Sequence, residues 1–491
     1  MLEISGRHLL LSLFAGFALV LVALVPPAIY GSDSANMMGV ADSLATDGNF
    51  DVPCGDQALP GRGGRCFSTF YPLISILAVP FVLAGRAISS FVGVSPEFGG
   101  HLVALLVPAL AAAGAATMTA AVAWQFGASK GAGIFAGAAF AFGTEVLTYA
   151  RTFFAETLAA FFVILALWGL TQTGRKRWWW YAGIPLAILT KPQMVLIGPA
   201  IGLVLAVGTR KLRPLWEAGF ATAAGAVIYG LYNWLRFEDA TNFGGASREI
   251  GAEQYAPGSV VDALGLLLIS PGRGLIWFSP IVLVGAYVLF QRRREPLALA
   301  CVAACAAILL VAVSNPGSGW NWGSRYLVPA LPLLCAAAGA ARGRALRAAV
   351  ALALVGFIVA LPTTFSPFQR YYAENAERGQ LASQRYWNLA DGPLIGVWGS
   401  AARQLQAAAD TDVAILVEQN EVGREPELAR VPVEEQPRMR IVALWWWVLP
   451  AGGVPWYVGA LASALCILAG ASTLVLSARR PLVHRRAAQE P

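Results

Sequence analysis

A few charged side chains stand where an apolar sequence should not put them. Asp33 follows an apolar run that ends at Tyr30, within Gly31-Ser32-Asp33-Ser34. A carboxylate fixed at the boundary between water and lipid can take a proton from a hydroxyl or hold a hard cation. The same position also suits an N-cap for the helix that Met37, Met38, Ala41 and Leu44 predict over 35–45. Lys191, in Thr190-Lys191-Pro192, lies between two apolar runs with no acid beside it in sequence. An intramembrane cation is costly and marks a functional candidate, with a lysine snorkelling to the interface as the plainer alternative. Arg273 sits in Ser270-Pro271-Gly272-Arg273-Gly274, where a helix N-terminus would offer N–H groups, a positive dipole end and a guanidinium to a phosphate. An ordinary Pro-Gly turn is the competing reading. Arg151 and Glu156 share one turn between two apolar runs, where they either pair with each other or line a polar pocket. Trp320, Trp322, Arg325 and Tyr326 are close together, and rings beside a cation suit a sugar face and its phosphate, or an interfacial belt. Tyr71, before Pro72, and Asn233, after Tyr232, close the set of candidates. One acid and several cations, each beside an apolar run, describe a site for an anionic, lipid-linked substrate.

The elements that must position these residues are membrane helices. Of the 491 residues, 57% are hydrophobic and only 13% charged, which excludes a disordered chain or a coiled coil and is poor in charge for a soluble domain. About twelve spans are expected, near residues 9–30, 100–125, 131–149, 156–173, 178–191, 193–208, 215–236, 274–290, 296–314, 326–341, 348–362 and 455–477. The net charge of +7 is broken into short basic clusters at 175–177, 210–213, 292–294, 342–347 and 479–486, so nucleic acid is not the expected partner. All these clusters share one face if the N-terminus is cytoplasmic, which sets the orientation. The run 71–92, carrying Pro72, Pro80 and Arg86, would invert that count, and it is expected to be re-entrant or interfacial. The first run is expected to stay as a span rather than be cleaved as a signal peptide. Most carboxylates then fall on the outer face, in loops at 31–70, 237–273, 314–325 and 363–440. Cys54 and Cys66 lie in the first of these loops, and a disulfide between them is expected in an oxidising compartment. No Cys/His spacing points to zinc, and three His argue against histidine chemistry.

The order of these pieces resembles the GT-C superfamily of membrane glycosyltransferases, above all the polyprenyl-phosphate-sugar-dependent kind represented by protein-mannosyltransferase-like and aminoarabinose-transferase-like families. The resemblance rests on the acidic motif at Asp33, Tyr71-Pro72-Leu73, Thr190-Lys191-Pro192, Tyr232-Asn233, Ser270–Gly274 and Gly323-Ser324-Arg325-Tyr326. It implies an all-α polytopic bundle with interfacial helices, and inverting transfer of one sugar to a hydroxyl on a glycan, lipid or protein. Asp33 would be the general base. Lys191 would bind the donor phosphate with Arg273, Arg325 and Arg151 as helpers, and Tyr71, Glu156, Asn233, Trp320, Trp322 and Tyr326 would line the pocket. Ser34 stands where the family commonly has a second acid, so a divalent cation (Mg, Mn or Ca) is left open. The resemblance also implies a bacterial inner membrane, with the site on the periplasmic face and both termini cytoplasmic. Residues 1–362 would form the catalytic bundle. A small outer-face cap would follow at 363–440, strand-like at 412–418 and acidic up to Glu435. Residues 441–491 would supply an interfacial segment, a last span and a basic tail. An oligosaccharide ligase and a lipid or sugar flippase are the rival readings. One-sided loops and the lack of internal repeats count against the flippase.

Overall fold

Proline and glycine decide where the long apolar runs become helix and where they break. The structure, a computed structural model, describes residues 2–55, 57–92, 95–244, 258–314, 316, 319–379, 382–410, 443–446 and 454–479. The first helix, Leu2–Ala23, stops ahead of Pro26 and Pro27. It packs on the helix Trp456–Arg479, with Gly16 and Gly470 at the contact: a Cβ on Gly470 would lie 2.6 Å from the Gly16 carbonyl oxygen. Close approach at small residues is the usual way for helices to associate in lipid. Between these two, the chain forms an all-α polytopic membrane bundle.

Seven helices among the described residues are long and apolar enough to cross a membrane. Several of the twelve expected spans are instead shorter or broken helices. The run 131–149 is split into Lys130–Phe142 and Val146–Tyr149. The run 274–290 becomes Leu275–Phe278 and Val282–Gln291, separated around Pro280. The run 326–341 opens as a 3-10 turn, Arg325–Ala330, before the helix Leu331–Gly339. Irregular backbone at such depth is tolerated where protein buries it. Here the breaks meet one another: the Glu145 N–H donates to the Ser279 hydroxyl at 3.1 Å, and both residues are fully buried.

Of the two forms expected for 71–92, re-entrant or interfacial, the re-entrant one is not seen. Pro72–Val92 is one continuous helix despite Pro80, and it meets the helix Pro96–Ala104 so closely that a Cβ on Gly85 would lie 2.0 Å from the Gly99 carbonyl oxygen. It is one of the seven helices long enough to span. It also supports the short helix Ser32–Thr46, which buries Met37, Met38, Val40 and Ala41. Arg86 donates to Asp42 at 3.0 Å, and His101 closes on the other oxygen of the same carboxylate.

The segment after residue 362 is described as far as 410. It forms helices Phe368–Glu377 and Pro393–Asp410 laid over the loops that precede the buried charges. The Tyr372 hydroxyl donates to the Asn321 carbonyl oxygen at 2.8 Å, and the Gly272 N–H to the Tyr386 carbonyl oxygen at 2.9 Å. Its outward side includes large apolar residues: Trp387, Leu389, Ile395, Trp398 and Leu405 are all exposed. The strand expected at 412–418 and the acidic run up to Glu435 lie outside the described residues.

Candidate active site

Lys191 reaches its position because Pro192 follows it. A residue before proline is pushed out of the α region, and Lys191 is extended (φ −151°, ψ 112°), which ends the helix Trp178–Thr190. Its ammonium turns inward and donates to Glu156 Oε1 at 2.6 Å, with the Tyr326 ring 4.7 Å away. Glu156 is the first residue of the helix Glu156–Leu170, and its side chain is wholly buried. Arg325 comes from a third place, the start of the 3-10 turn that follows Gly323. Its Nε donates to the same Glu156 oxygen at 2.6 Å, its Nη1 donates to Asp33 Oδ2 at 2.7 Å, and the guanidinium lies 3.9 Å from the centre of the Phe154 ring. Four charged residues from separate parts of the chain thus make one chain of contacts, Lys191–Glu156–Arg325–Asp33.

Exposure is greatest at the Asp33 end of that chain. The Lys191 side chain is 3% exposed and Arg325 11%, while Asp33 reaches 24%. The carboxylate is the end that a dissolved or interfacial reactant meets first. Asp33 does not cap its helix: it lies in the first turn of Ser32–Thr46, the N-cap is Gly31 at φ 96°, and no side chain caps that end. Its Oδ1 accepts a hydrogen bond from Gln57 Nε2 at 3.0 Å. The Tyr71 phenol oxygen accepts a hydrogen bond from the Gln193 amide at 3.1 Å. Desolvation raises the Tyr71 pKa well above the ordinary phenol value and Tyr326 adds to the shift, so the group is neutral across the physiological range.

The other expected site residues have different surroundings. Arg151 does not pair with Glu156. It donates to the carbonyl oxygens of Leu24, Thr363, Thr364 and Ala443, tying four distant segments together. Arg273 donates to the Pro316 carbonyl oxygen and the Tyr386 hydroxyl, each at 3.1 Å. The expected phosphate cradle around it is already filled. The Gly272, Arg273 and Gly274 N–H groups donate to the Tyr386 carbonyl, the Ser270 hydroxyl and the Ser270 carbonyl, and the helix that follows has only four residues. Asn233 is buried between the guanidinium of Arg236 and the Ala240 carbonyl. Trp322 is buried edge-on to Phe278, and Trp320 stacks on Tyr372 with ring centroids 6.0 Å apart. Cys54 and Cys66 are joined by a disulfide.

Sequence reasoning passed over two residues at this site. Glu145 is fully buried, and its carboxylate fills the space beside Gly323, where a Cβ would sit 1.9 Å from Oε2. An acid at the end of an apolar run was the available signal. Gln57 gave none, being one polar residue in a polar loop. Among the described residues no group of three or more His, Cys, Asp or Glu side chains could hold a metal ion. Among the described residues Asp33 faces a guanidinium and an amide N–H, which are donors and not metal ligands, so this set does not fit a divalent cation.

No protein-family model and no curated protein matches the chain. Among solved structures it is similar to apo ArnT from Cupriavidus metallidurans, at a TM-score of 0.50 and 18% identity, over 94% of this chain and 76% of that one. ArnT from the same organism bound to undecaprenyl phosphate aligns at a TM-score of 0.48 and 15% identity, over 96% and 77% of the two chains. The archaeal oligosaccharyltransferase AglB from Archaeoglobus fulgidus, in complex with an inhibitory peptide and a dolichol-phosphate, aligns at 0.46 and 14%, over 78% and 60%. The chain thus shares the fold of a solved structure. The particular likeness that carries this is to apo ArnT.

Proposed function

We propose that the protein is an inverting glycosyltransferase that moves a single sugar from a polyprenyl-phosphate donor to a hydroxyl acceptor at the outer face of the membrane. The observation that carries this reading is Arg325, which joins the more exposed carboxylate of the array, Asp33, to the buried Lys191–Glu156 pair. The guanidinium has spent Nε and Nη1 on carboxylates, and its Nη2 makes no hydrogen bond among the described residues. Lys191 carries three N–H donors, of which one goes to Glu156. Donor capacity for phosphate oxygens therefore remains on Lys191, at one end of the array, and on Arg325 in its middle, and a base stands at the other end.

That separation suits displacement at the anomeric carbon from the face opposite the phosphate. Asp33 takes the proton of the acceptor hydroxyl while its oxygen bonds to the sugar. The bond from the sugar to the phosphate oxygen breaks, and its electron pair leaves with the polyprenyl phosphate. Phosphate is already a competent leaving group, so charge stabilisation by Lys191 and Arg325 matters more than an acid would. Burial of this end keeps water from the donor. In this reading Arg151 and Arg273 hold the surrounding turns in place, and the segment after residue 362 shapes acceptor access.

The test is a transfer assay on purified protein in lipid, following release of polyprenyl phosphate from a panel of polyprenyl-phosphate sugars. Acceptor-dependent release from one donor is the expected result. Asp33→Asn should remove turnover and keep donor binding, since an amide has the shape but cannot take the proton. Lys191→Ala should weaken donor binding. Wild-type turnover in Asp33→Asn would end the mechanism.

A further inference from the structure

Gln57 is a loop glutamine that the chain has taken trouble to hold still. Its carbonyl oxygen accepts the Thr69 N–H at 3.1 Å, and the next residue, Ala58, pairs with Ser68 in a two-stranded ladder, Ala58–Pro60 against Cys66–Ser68. The Cys54–Cys66 disulfide closes this hairpin at a separation of 12 residues. Arg236, at the end of the helix Arg213–Phe237, donates to the Ser68 carbonyl oxygen, and a Cβ on Gly61 would lie 2.3 Å from the Arg236 carbonyl oxygen. The hairpin is thereby locked to a membrane helix on one side and to itself on the other. Gln57 is only 7% exposed, and its Nε2 points at the start of the Ser32–Thr46 helix, 3.0 Å from Ser32 Oγ and 3.0 Å from Asp33 Oδ1. The amide orientation is fixed by chemistry: an ionised carboxylate only accepts, so the flipped amide would set two acceptor oxygens together.

Asp33 is therefore held from two directions, Oδ2 by Arg325 and Oδ1 by Gln57. A carboxylate beside a guanidinium tends toward a bidentate ion pair, in which both oxygens face the cation and neither is aimed at a reactant. Gln57 occupies the second oxygen and prevents that arrangement. We propose that Gln57 is the positioning residue for Asp33, and that the Cys54–Cys66 disulfide serves the reaction through it, by fixing the hairpin that carries the amide. The inference rests on the reading of Asp33 as the base.

The experiment compares wild type, Gln57→Ala, Gln57→Glu, the pair Cys54→Ser with Cys66→Ser, and that pair combined with Gln57→Ala. All are assayed in lipid with the polyprenyl-phosphate sugar that wild type uses. Melting temperature and the shift given by polyprenyl phosphate report folding and donor binding separately from chemistry. The expected result for Gln57→Ala is a kcat about ten- to a hundredfold lower, a part of the roughly 10²- to 10⁴-fold that a positioned base contributes, at unchanged donor binding. Gln57→Glu keeps the shape, loses the donor when ionised, and should fall as far. The disulfide variant should lose a similar factor, and the combined variant should be no slower than Gln57→Ala alone. Losses that multiply would overturn the link between disulfide and amide. A kcat within twofold of wild type in Gln57→Ala would overturn the positioning role while leaving the base in place. Wild type that binds polyprenyl phosphate yet transfers no sugar from any donor would remove the base, and this proposal with it.

Discussion

Glu156 sets the charge of the whole constellation. With it, two carboxylates face two cations, so the array as it stands offers a phosphate directed N–H groups and no net attraction. Glu156 Oε1 accepts from both Lys191 and Arg325, and its other oxygen has no hydrogen-bond partner. Glu156→Gln would leave two buried cations without their shared carboxylate, a loss of about 3–5 kcal/mol for a broken buried pair. The same change makes the array net positive. We therefore expect the variant to melt well below wild type, and polyprenyl phosphate to raise its melting temperature more than it raises that of wild type. Thermal unfolding with and without polyprenyl phosphate checks this, and an equal or smaller shift in the variant would show that Glu156 does not compete with the phosphate. Elsewhere, Arg370 shows what burial does to a cation outside the bundle. Desolvation brings its pKa down to about 10 despite Glu374 at 3.6 Å, so it remains charged at neutral pH and needs that partner.

At the scale of elements, the informative features are the interruptions. Lys191 faces inward because Pro192 ends a helix, and Arg325 is aimed by the turn at Gly323, which stands at φ 64°. That turn is doubly constrained. A side chain at φ 64° is strained, about 1–3 kcal/mol for a non-glycine residue, and the Glu145 carboxylate already occupies the Cβ position. Gly323→Ala should therefore lower the melting temperature and weaken polyprenyl phosphate binding together, because the methyl group must displace the Glu145 carboxylate or shift the turn that aims Arg325. Gly319→Ala is the control for the strain alone: its φ is 65°, with nothing within 4 Å of the added carbon, and donor binding should persist there. Equal donor affinity in both variants would show that the crowding at Gly323 does not reach Arg325.

For the whole molecule the open quantity is orientation, which the proposed reading fixes through the basic clusters. If the clusters face the cytoplasm, a cysteine at Asp47, just past the Ser32–Thr46 helix, is on the outer side, and one at Lys176 is on the inner side. Asp47 is exposed and Lys176 half-buried, so a reagent can reach each from its own side. In right-side-out membrane vesicles a membrane-impermeant maleimide should label Asp47→Cys and spare Lys176→Cys until detergent is added. The reverse pattern would put Asp33 on the cytoplasmic side and end the outer-face reading.

What the sequence determined by itself was local: the apolar runs that must become helix, and the acid and the cations that lipid would not tolerate without a use. Asp33, Lys191 and Arg325 were legible for that reason, because an intramembrane charge is conspicuous wherever it occurs. Whether such charges meet is a matter of packing over long separations, and this only the tertiary structure decided. Glu156 and Lys191 are 35 residues apart, Arg325 and Asp33 are 292 apart, and no local pattern records either pairing. The same packing took Arg151 and Arg273 out of the array, since backbone carbonyls and the Tyr386 hydroxyl brought in from afar meet their N–H groups. It also made 71–92, read from sequence as re-entrant or interfacial, one continuous helix that meets Pro96–Ala104 at Gly85 and Gly99. Gln57 was invisible for a related reason: a polar residue in a polar loop acquires meaning only when a disulfide hairpin carries it to the carboxylate.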